Sequence, residues 1–173
     1  NVRLEAGQVA TVAPPATVGT TFVVLERLPA LSWVLGCVAG CLACALLVVN
    51  NLRDIPTDTA AGKRTLAVVL GRRRTQGEFG ALLGVSYFVP ALLFLAWLAG
   101  WTPSGGPAPL TPFVLLPILT LPMTTRLLRT VRGFVEPREL NPVLKGTARL
   151  SLAFSLLFAL GLALSGFVPG GGA

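Results

Sequence analysis

The sequence of 173 residues is 53% hydrophobic and only 12% charged, with a mean hydropathy of +0.75. A soluble domain carries roughly 25% charged residues, so the composition excludes a water-soluble domain and indicates an integral membrane protein. The net charge of +7 comes with no basic aromatic surface or known nucleic-acid module, which sets nucleic acid aside as a partner and points instead to Lys- and Arg-rich cytoplasmic loops.

In chain order, the first residues, NVRLEAG, lack the charged and apolar regions of a signal peptide and have no initiator Met. The sequence therefore reads as starting within a longer protein. A first span is predicted over 9–25, uncharged, rich in Thr and Val, and kinked by Pro14 and Pro15. Its Thr11, Thr17, Thr20 and Thr21 suit either a cavity lining or helix packing. A turn at Glu26, Arg27 and Pro29 leads to a second span over 28–52, long enough for a hydrocarbon core of about 30 Å. Trp33 marks its interface, and Gly36, Ala39, Gly40 and Ala43 give it a small-residue face. Cys37, Cys41 and Cys44 share one side of this span. They read as small packing residues, because a metal site would need further ligands and the chain has no His.

A basic cytoplasmic loop is predicted over 53–78, with a short apolar helix at 65–70 bounded by Gly62 and Gly71. Arg72, Arg73 and Arg74 read as a cluster facing lipid headgroups. A third span covers 81–101 and a fourth 110–128, separated by the turn TPSGGPAP. Pro112, Pro117 and Pro122 recur every five residues and predict a bent fourth span. A second basic cytoplasmic loop covers 129–149, and the last span covers 150–168. Five spans make an all-α transmembrane bundle, and both long basic loops then fall on one side of the membrane.

Two of the seven side-chain carboxylates, Asp54 and Asp58, stand four residues apart, and Asn50 lies four residues earlier. Positions i, i+4 and i+8 share a helix face, so these three side chains can address one object. Hard oxygen donors beside Lys63 and Arg64 suit a Mg²⁺–phosphate site, since Mg²⁺ takes one or two carboxylates and fills its octahedron with water and phosphate oxygens. The alternative from spacing alone is charge pairing of Asp54 and Asp58 with Arg53, Lys63 or Arg64.

The stretch NNLRDIPTDTAAGKRTLAVVLG, residues 50–71, resembles the second aspartate-rich motif of the UbiA superfamily of intramembrane aromatic prenyltransferases. Its wording is similar to the branch that prenylates 1,4-dihydroxy-2-naphthoate in menaquinone synthesis. The stretch ELNPVLKGTARLSLAFSLLFALGLAL, residues 139–164, resembles the last loop and last helix of that branch, and the resemblance runs from about residue 10 to the end. It implies a bundle of about nine helices in a bacterial plasma membrane, with polyprenyl diphosphate and 1,4-dihydroxy-2-naphthoate as substrates and Mg²⁺ as cofactor. The reaction would release CO₂ and give demethylmenaquinone.

Carried onto this sequence, the resemblance makes Asp54, Asp58 and Lys63 catalytic and Asn50, Asp54 and Asp58 metal ligands. It gives Asn50, Arg53, Arg64, Asn141 and Lys145 to the diphosphate and substrate. Only the second motif is present, since Glu5 and Glu26 are the sole acids before Asp54. The expectation is therefore the C-terminal portion of such an enzyme, acting with a missing N-terminal half. Two alternatives stand beside it: the same chemistry on 4-hydroxybenzoate, homogentisate or haem, and a non-catalytic membrane subunit or transporter fragment.

Overall fold

The computed structural model describes residues 30–100 and 111–167, together with 19, 22, 23 and 26. The predicted span 9–25 lies almost wholly outside the described residues, as does the TPSGGPAP turn. The described residues form four long helical elements. These are α1 (Ala30–Ala60), α2 (Leu66–Leu98), a 3₁₀ segment (Pro112–Thr120) running directly into α3 (Leu121–Gly133), and α4 (Leu140–Phe167), which follows a 3₁₀ turn (Pro137–Glu139). Each is long and apolar enough to cross a membrane, with α3 counted together with its 3₁₀ segment. Apolar side chains stay on the outside as well as the inside: Phe88, Leu92, Leu95, Leu98, Leu119, Leu152 and Leu156 are all exposed. Lipid solvates such a surface and water does not.

The helices run further than the hydrophobic runs predict. Leaving the apolar layer does not end a helix, because intrahelical bonds persist in water. α1 continues from the predicted end at 52 through the motif to Ala60, and α2 starts at Leu66, so the predicted loop 53–78 contracts to residues 61–65. α1 stops where Gly62 takes φ +66. There Lys63 N–H donates to Asp58 O at 2.9 Å and Gly62 N–H to Thr59 O at 3.1 Å, the paired bonds of a Schellman motif. The Thr65 hydroxyl accepts from Val68 N–H and starts α2. Gly71, at φ 74 and ψ 167, then breaks α2 into a short arm and a long span, as the glycine punctuation predicts. The predicted loop 129–149 shrinks likewise to residues 134–139, because α3 buries Thr124, Leu127 and Val131 at helical spacing and stays folded to Gly133.

Prolines shape the third spanning element. Pro112 stands at the first position, where its missing N–H costs nothing, but Pro117 lacks an N–H that an α-helix would use, and the chain adopts the tighter 3₁₀ form until Leu121. Thr120 Oγ1 donates to Pro117 O at 2.7 Å, so the expected distortion is real and has a local partner.

Consecutive elements are antiparallel neighbours, and α4 also packs on α1. The core between them holds Val48, Val49, Leu52, Phe79, Leu83, Val114, Leu150 and Phe154. Of the expected small-residue face, Gly36 and Gly40 are buried but Ala39 and Ala43 point outward. Cys37 is exposed, Cys41 half-buried and Cys44 buried. Among the described residues, buried polar side chains find partners, as lipid requires, one oxygen of Asp58 excepted. Tyr87 Oη lies 2.5 Å from Thr120 Oγ1 and 2.6 Å from Thr124 Oγ1, with its ring edge-on to Phe154. At the end away from the motif, Thr111 Oγ1 and Ser165 Oγ are 2.6 Å apart.

Gly161 on α4 sits directly against the backbone of the 3₁₀ segment, where a Cβ would collide with Phe113 O. Backbone cannot yield as a side chain does. Gly161→Ala is therefore expected to destabilise the bundle by about 1–3 kcal/mol, read as a lowered midpoint of thermal unfolding in detergent. Gly77→Ala, where a Cβ meets nothing within 4 Å, is expected to leave the midpoint unchanged or slightly raised.

Candidate functional site

The up-and-down topology brings the end of α1, the start of α2, the end of α3 and the start of α4 to one end of the bundle. The last turns of α1 carry the motif there, and α4 begins beside it. Arg53 joins the two helices. Its Nε donates to Asp54 Oδ1 at 2.9 Å and its Nη2 to Asp54 Oδ2 at 3.2 Å. Nη2 also donates to Asn50 Oδ1 at 2.9 Å, and Nη1 donates to Asn141 Oδ1 at 3.2 Å. One planar guanidinium thus organises four acceptor atoms from both motif stretches. Only the fork geometry of Arg reaches a carboxylate in bidentate fashion while leaving a third nitrogen free.

Asp58, one turn beyond Asp54, is enclosed, with 3% of its surface exposed. The Schellman turn folds the chain back so that Lys63 Nζ reaches Asp58 Oδ1 at 3.2 Å. Asp58 Oδ2 is buried and has no hydrogen-bond partner. A carboxylate oxygen in that position is costly unless a cation, a water or a ligand completes it.

The predicted site residues therefore divide. Asn50, Arg53, Asp54 and Asn141 meet in one cluster, and Asp58 and Lys63 form a second beside it. Arg64, in the turn after α1, and Lys145, one turn along α4 from Asn141, are exposed and make no hydrogen bond or ion pair among the described residues. The charge pairing left open from spacing is present for both aspartates, but each also belongs to a site that is not closed by it. Asp54 shares its cation with two amides, and Asp58 keeps a free oxygen.

Two residues at this end depart from the sequence reading, Arg72 by leaving its expected cluster and Gln76 by having no assigned part. Arg72 does not stand with Arg73 and Arg74 as a headgroup-facing cluster. Its guanidinium donates to Phe134 O and stacks on the Phe134 ring, 3.8 Å from its centroid. Gln76 Nε2 donates to Val131 O at 2.6 Å. Both satisfy carbonyls freed at the end of α3. No local signal marks them, because their partners lie 55 and 62 residues away.

Apolar space adjoins the clusters. A cavity of about 180 Å³ opens between Leu52, Ile55, Pro56, Phe134 and Pro137. Further along the same two helices that Arg53 joins, a groove of about 210 Å³ runs between α1 and α4, lined by Leu35, Val38, Phe154, Phe158 and Leu162. A charged head and an apolar track on one helix pair suit an amphiphile with an anionic head.

Residues 8–133 match the UbiA prenyltransferase family. The chain belongs to this family. It is 35% identical over 150 residues to the 1,4-dihydroxy-2-naphthoate octaprenyltransferase of Mycobacterium tuberculosis, a match covering 87% of this chain and 47% of that protein. The enzyme of the same name from Escherichia coli is 37% identical over 129 residues, covering 73% of this chain and 37% of its own. UbiA prenyltransferase domain-containing protein 1 of Danio rerio is 35% identical over 121 residues, 70% of this chain and 31% of its own length. The chain thus spans less than half the length of these relatives. Asn141 lies beyond the residues matched to the family, and the fold brings it to the motif.

The Asp58–Lys63 pair carries a stability prediction. Lys63→Met leaves Asp58 enclosed without its cation and is expected to cost about 1–3 kcal/mol, measured by chemical unfolding in detergent. Adding Asp58→Asn to Lys63→Met is expected to recover most of that loss, since the remaining amide carries no net charge to desolvate.

Proposed function

We propose that this chain supplies the second aspartate-rich half of a prenyltransferase acting on 1,4-dihydroxy-2-naphthoate. The observation that carries the reading is the Arg53 cluster, with the apolar α1–α4 groove roughly 20 Å further along the same two helices. The names of the bacterial relatives support the acceptor. In the reaction, the C–O bond of an allylic polyprenyl diphosphate breaks and the electron pair leaves with diphosphate. The ring carbon bearing the carboxylate attacks the allylic carbon. The carboxylate departs as CO₂, and its bonding pair restores the aromatic ring, leaving the product as the quinol; its oxidation to demethylmenaquinone is a separate two-electron step.

Each residue has a part in this scheme. The donor set is chemically apt for Mg²⁺: two carboxylates, one of them Asp58 with an orphaned oxygen, and an amide oxygen. Asn50, Asp54 and Asp58 would hold the ion. Bound there, Mg²⁺ supplies positive charge to the leaving diphosphate. Arg53, with Lys63, Arg64, Asn141 and Lys145 around it, binds the diphosphate oxygens and fixes their orientation. Val38, Phe154 and Phe158 hold the isoprenoid chain and exclude the water that would quench an allylic cation. A first aspartate-rich motif, which this sequence does not contain, completes the site. The motif end faces the cytoplasm of a bacterial plasma membrane, because twelve of the fourteen Lys and Arg residues fall between Arg53 and Arg149.

Prenyl transfer in membranes, with Mg²⁺ and a long polyprenyl diphosphate, tests the proposal. Activity is expected when the chain is combined with the N-terminal half of a relative, and neither half alone is expected to act. Asp54→Ala is expected to lower the rate by about 100-fold or more, and chelation of divalent cations to abolish it. Equal rates with 4-hydroxybenzoate, or activity indifferent to Asp54→Ala, would sink the reading. Sidedness has its own check. Thr57→Cys, exposed near the end of α1, is expected to react with a membrane-impermeant maleimide in inside-out vesicles and not in intact cells.

A further inference from the structure

The surface between the third spanning element and α4 holds a cavity of about 620 Å³, lined by Leu119, Pro122, Met123, Arg126, Gly146 and Ala153. Its register is fixed by Gly146, which abuts the Leu127 side chain. Arg149 lies between Gly146 and Ala153 on α4, about one turn from each and so on their side of the helix, and is exposed like Arg126.

Depth distinguishes these two cations from the rest. A 3₁₀ segment rising roughly 2.0 Å per residue, followed by an α-helix at roughly 1.5 Å, puts Arg126 roughly 26 Å from Pro112. Counting back from Phe167, Arg149 stands roughly 27 Å from the far end of α4. The hydrocarbon core is about 30 Å thick. Both guanidinium groups therefore reach the near headgroup boundary, and Leu119, Met123 and Ala153 line the groove on the hydrocarbon side of them.

Among the described residues no acid answers their charge. The sequence has no acid between Glu78 and Glu136 and none after Glu139. Among the described residues the ion pairs are Arg53–Asp54 and Lys63–Asp58. Two uncompensated cations at the edge of hydrocarbon are costly and call for an anion. A free phosphate would meet the charge and leave the apolar groove open. An anionic phospholipid fills both, with its phosphate on the arginines and an acyl chain in the groove. We propose that this groove binds one anionic phospholipid through Arg126 and Arg149. The site is independent of the Arg53 cluster and of the proposed reaction.

Native mass spectrometry of the full chain in mild detergent tests it, with phosphatidylglycerol and phosphatidylcholine of identical acyl chains. One retained phosphatidylglycerol is expected, preferred over phosphatidylcholine by about tenfold or more. R126Q/R149Q is expected to bring the two lipids within about twofold of each other, and R126K/R149K to keep most of the preference. R73Q/R74Q, which removes the same charge elsewhere, is expected to leave the preference intact. The proposal fails if the preference survives R126Q/R149Q or falls equally in R73Q/R74Q. It also fails if soluble glycerol phosphate displaces the lipid at equal concentration, which would mark a simple anion site. Displacement by farnesyl diphosphate would mark a substrate groove instead, and a second copy of the chain in place of lipid would mark a dimer face.

Discussion

The guanidinium of Arg53 is the point on which the motif end of the bundle depends. Without a cation there, the Asp54 carboxylate would stand beside two amides with no positive charge to answer it. A single residue resolves this, and it does so across two helices. The same bond network ties the start of α4 to the end of α1. The chemistry of the motif and the closure of the helix pair are therefore one interaction. An arrangement of this kind also fixes what any incoming anion must do. Four of the five N–H groups of Arg53 are already engaged, so the anion finds one on Nη1 and must otherwise compete with Asp54 for the rest.

Elsewhere the bundle solves a different problem, that of polar groups where no water reaches. Tyr87 meets two threonine hydroxyls, one of which already bonds Pro117 O in the 3₁₀ segment. Thr111 and Ser165 close the opposite end. Arg72 and Gln76 cover the carbonyls at the end of α3. Each bond joins neighbouring spans, so the polar atoms that lipid would penalise act as ties between helices. Gly161 supplies the complementary device, close approach of backbone to backbone.

Much of this was legible in the sequence, and the physical reasons separate what was from what was not. Four of the predicted spans exist because an uncharged apolar run of that length has few alternatives in lipid. The helices run past the expected ends where Arg53 to Ala60 and Arg129 to Gly133 stay helical, since hydropathy reports the membrane layer and not the helix. Glycine read correctly: Gly62 and Gly71 both take the positive φ expected of breakers. In the site, Asn50, Arg53, Asp54 and Asn141 were named in advance and converge. That Asp54 and Asp58 each take a separate cation was not legible. The partition depends on the Schellman turn that swings Lys63 back, and on Asn141 arriving from 88 residues away. Arg72 was grouped with its neighbours because three consecutive arginines look alike in a string, and only the packing of α2 on α3 sets the first apart.

The break at Gly71 has a consequence for how this chain can vary. A continuous helix transmits rotation: one residue added anywhere turns everything beyond it by about 100°. Gly71 interrupts that transmission. The arm at 65–70 and the long part of α2 are thus set independently. A residue gained or lost between Lys63 and Leu70 changes the reach of the arm, while the angular phase of Arg72, Gln76 and Phe79 on the bundle stays where α3 and α1 hold it. The glycine uncouples the segment that follows the motif from the scaffold behind it, leaving that segment free to diverge in length without loss of the fold.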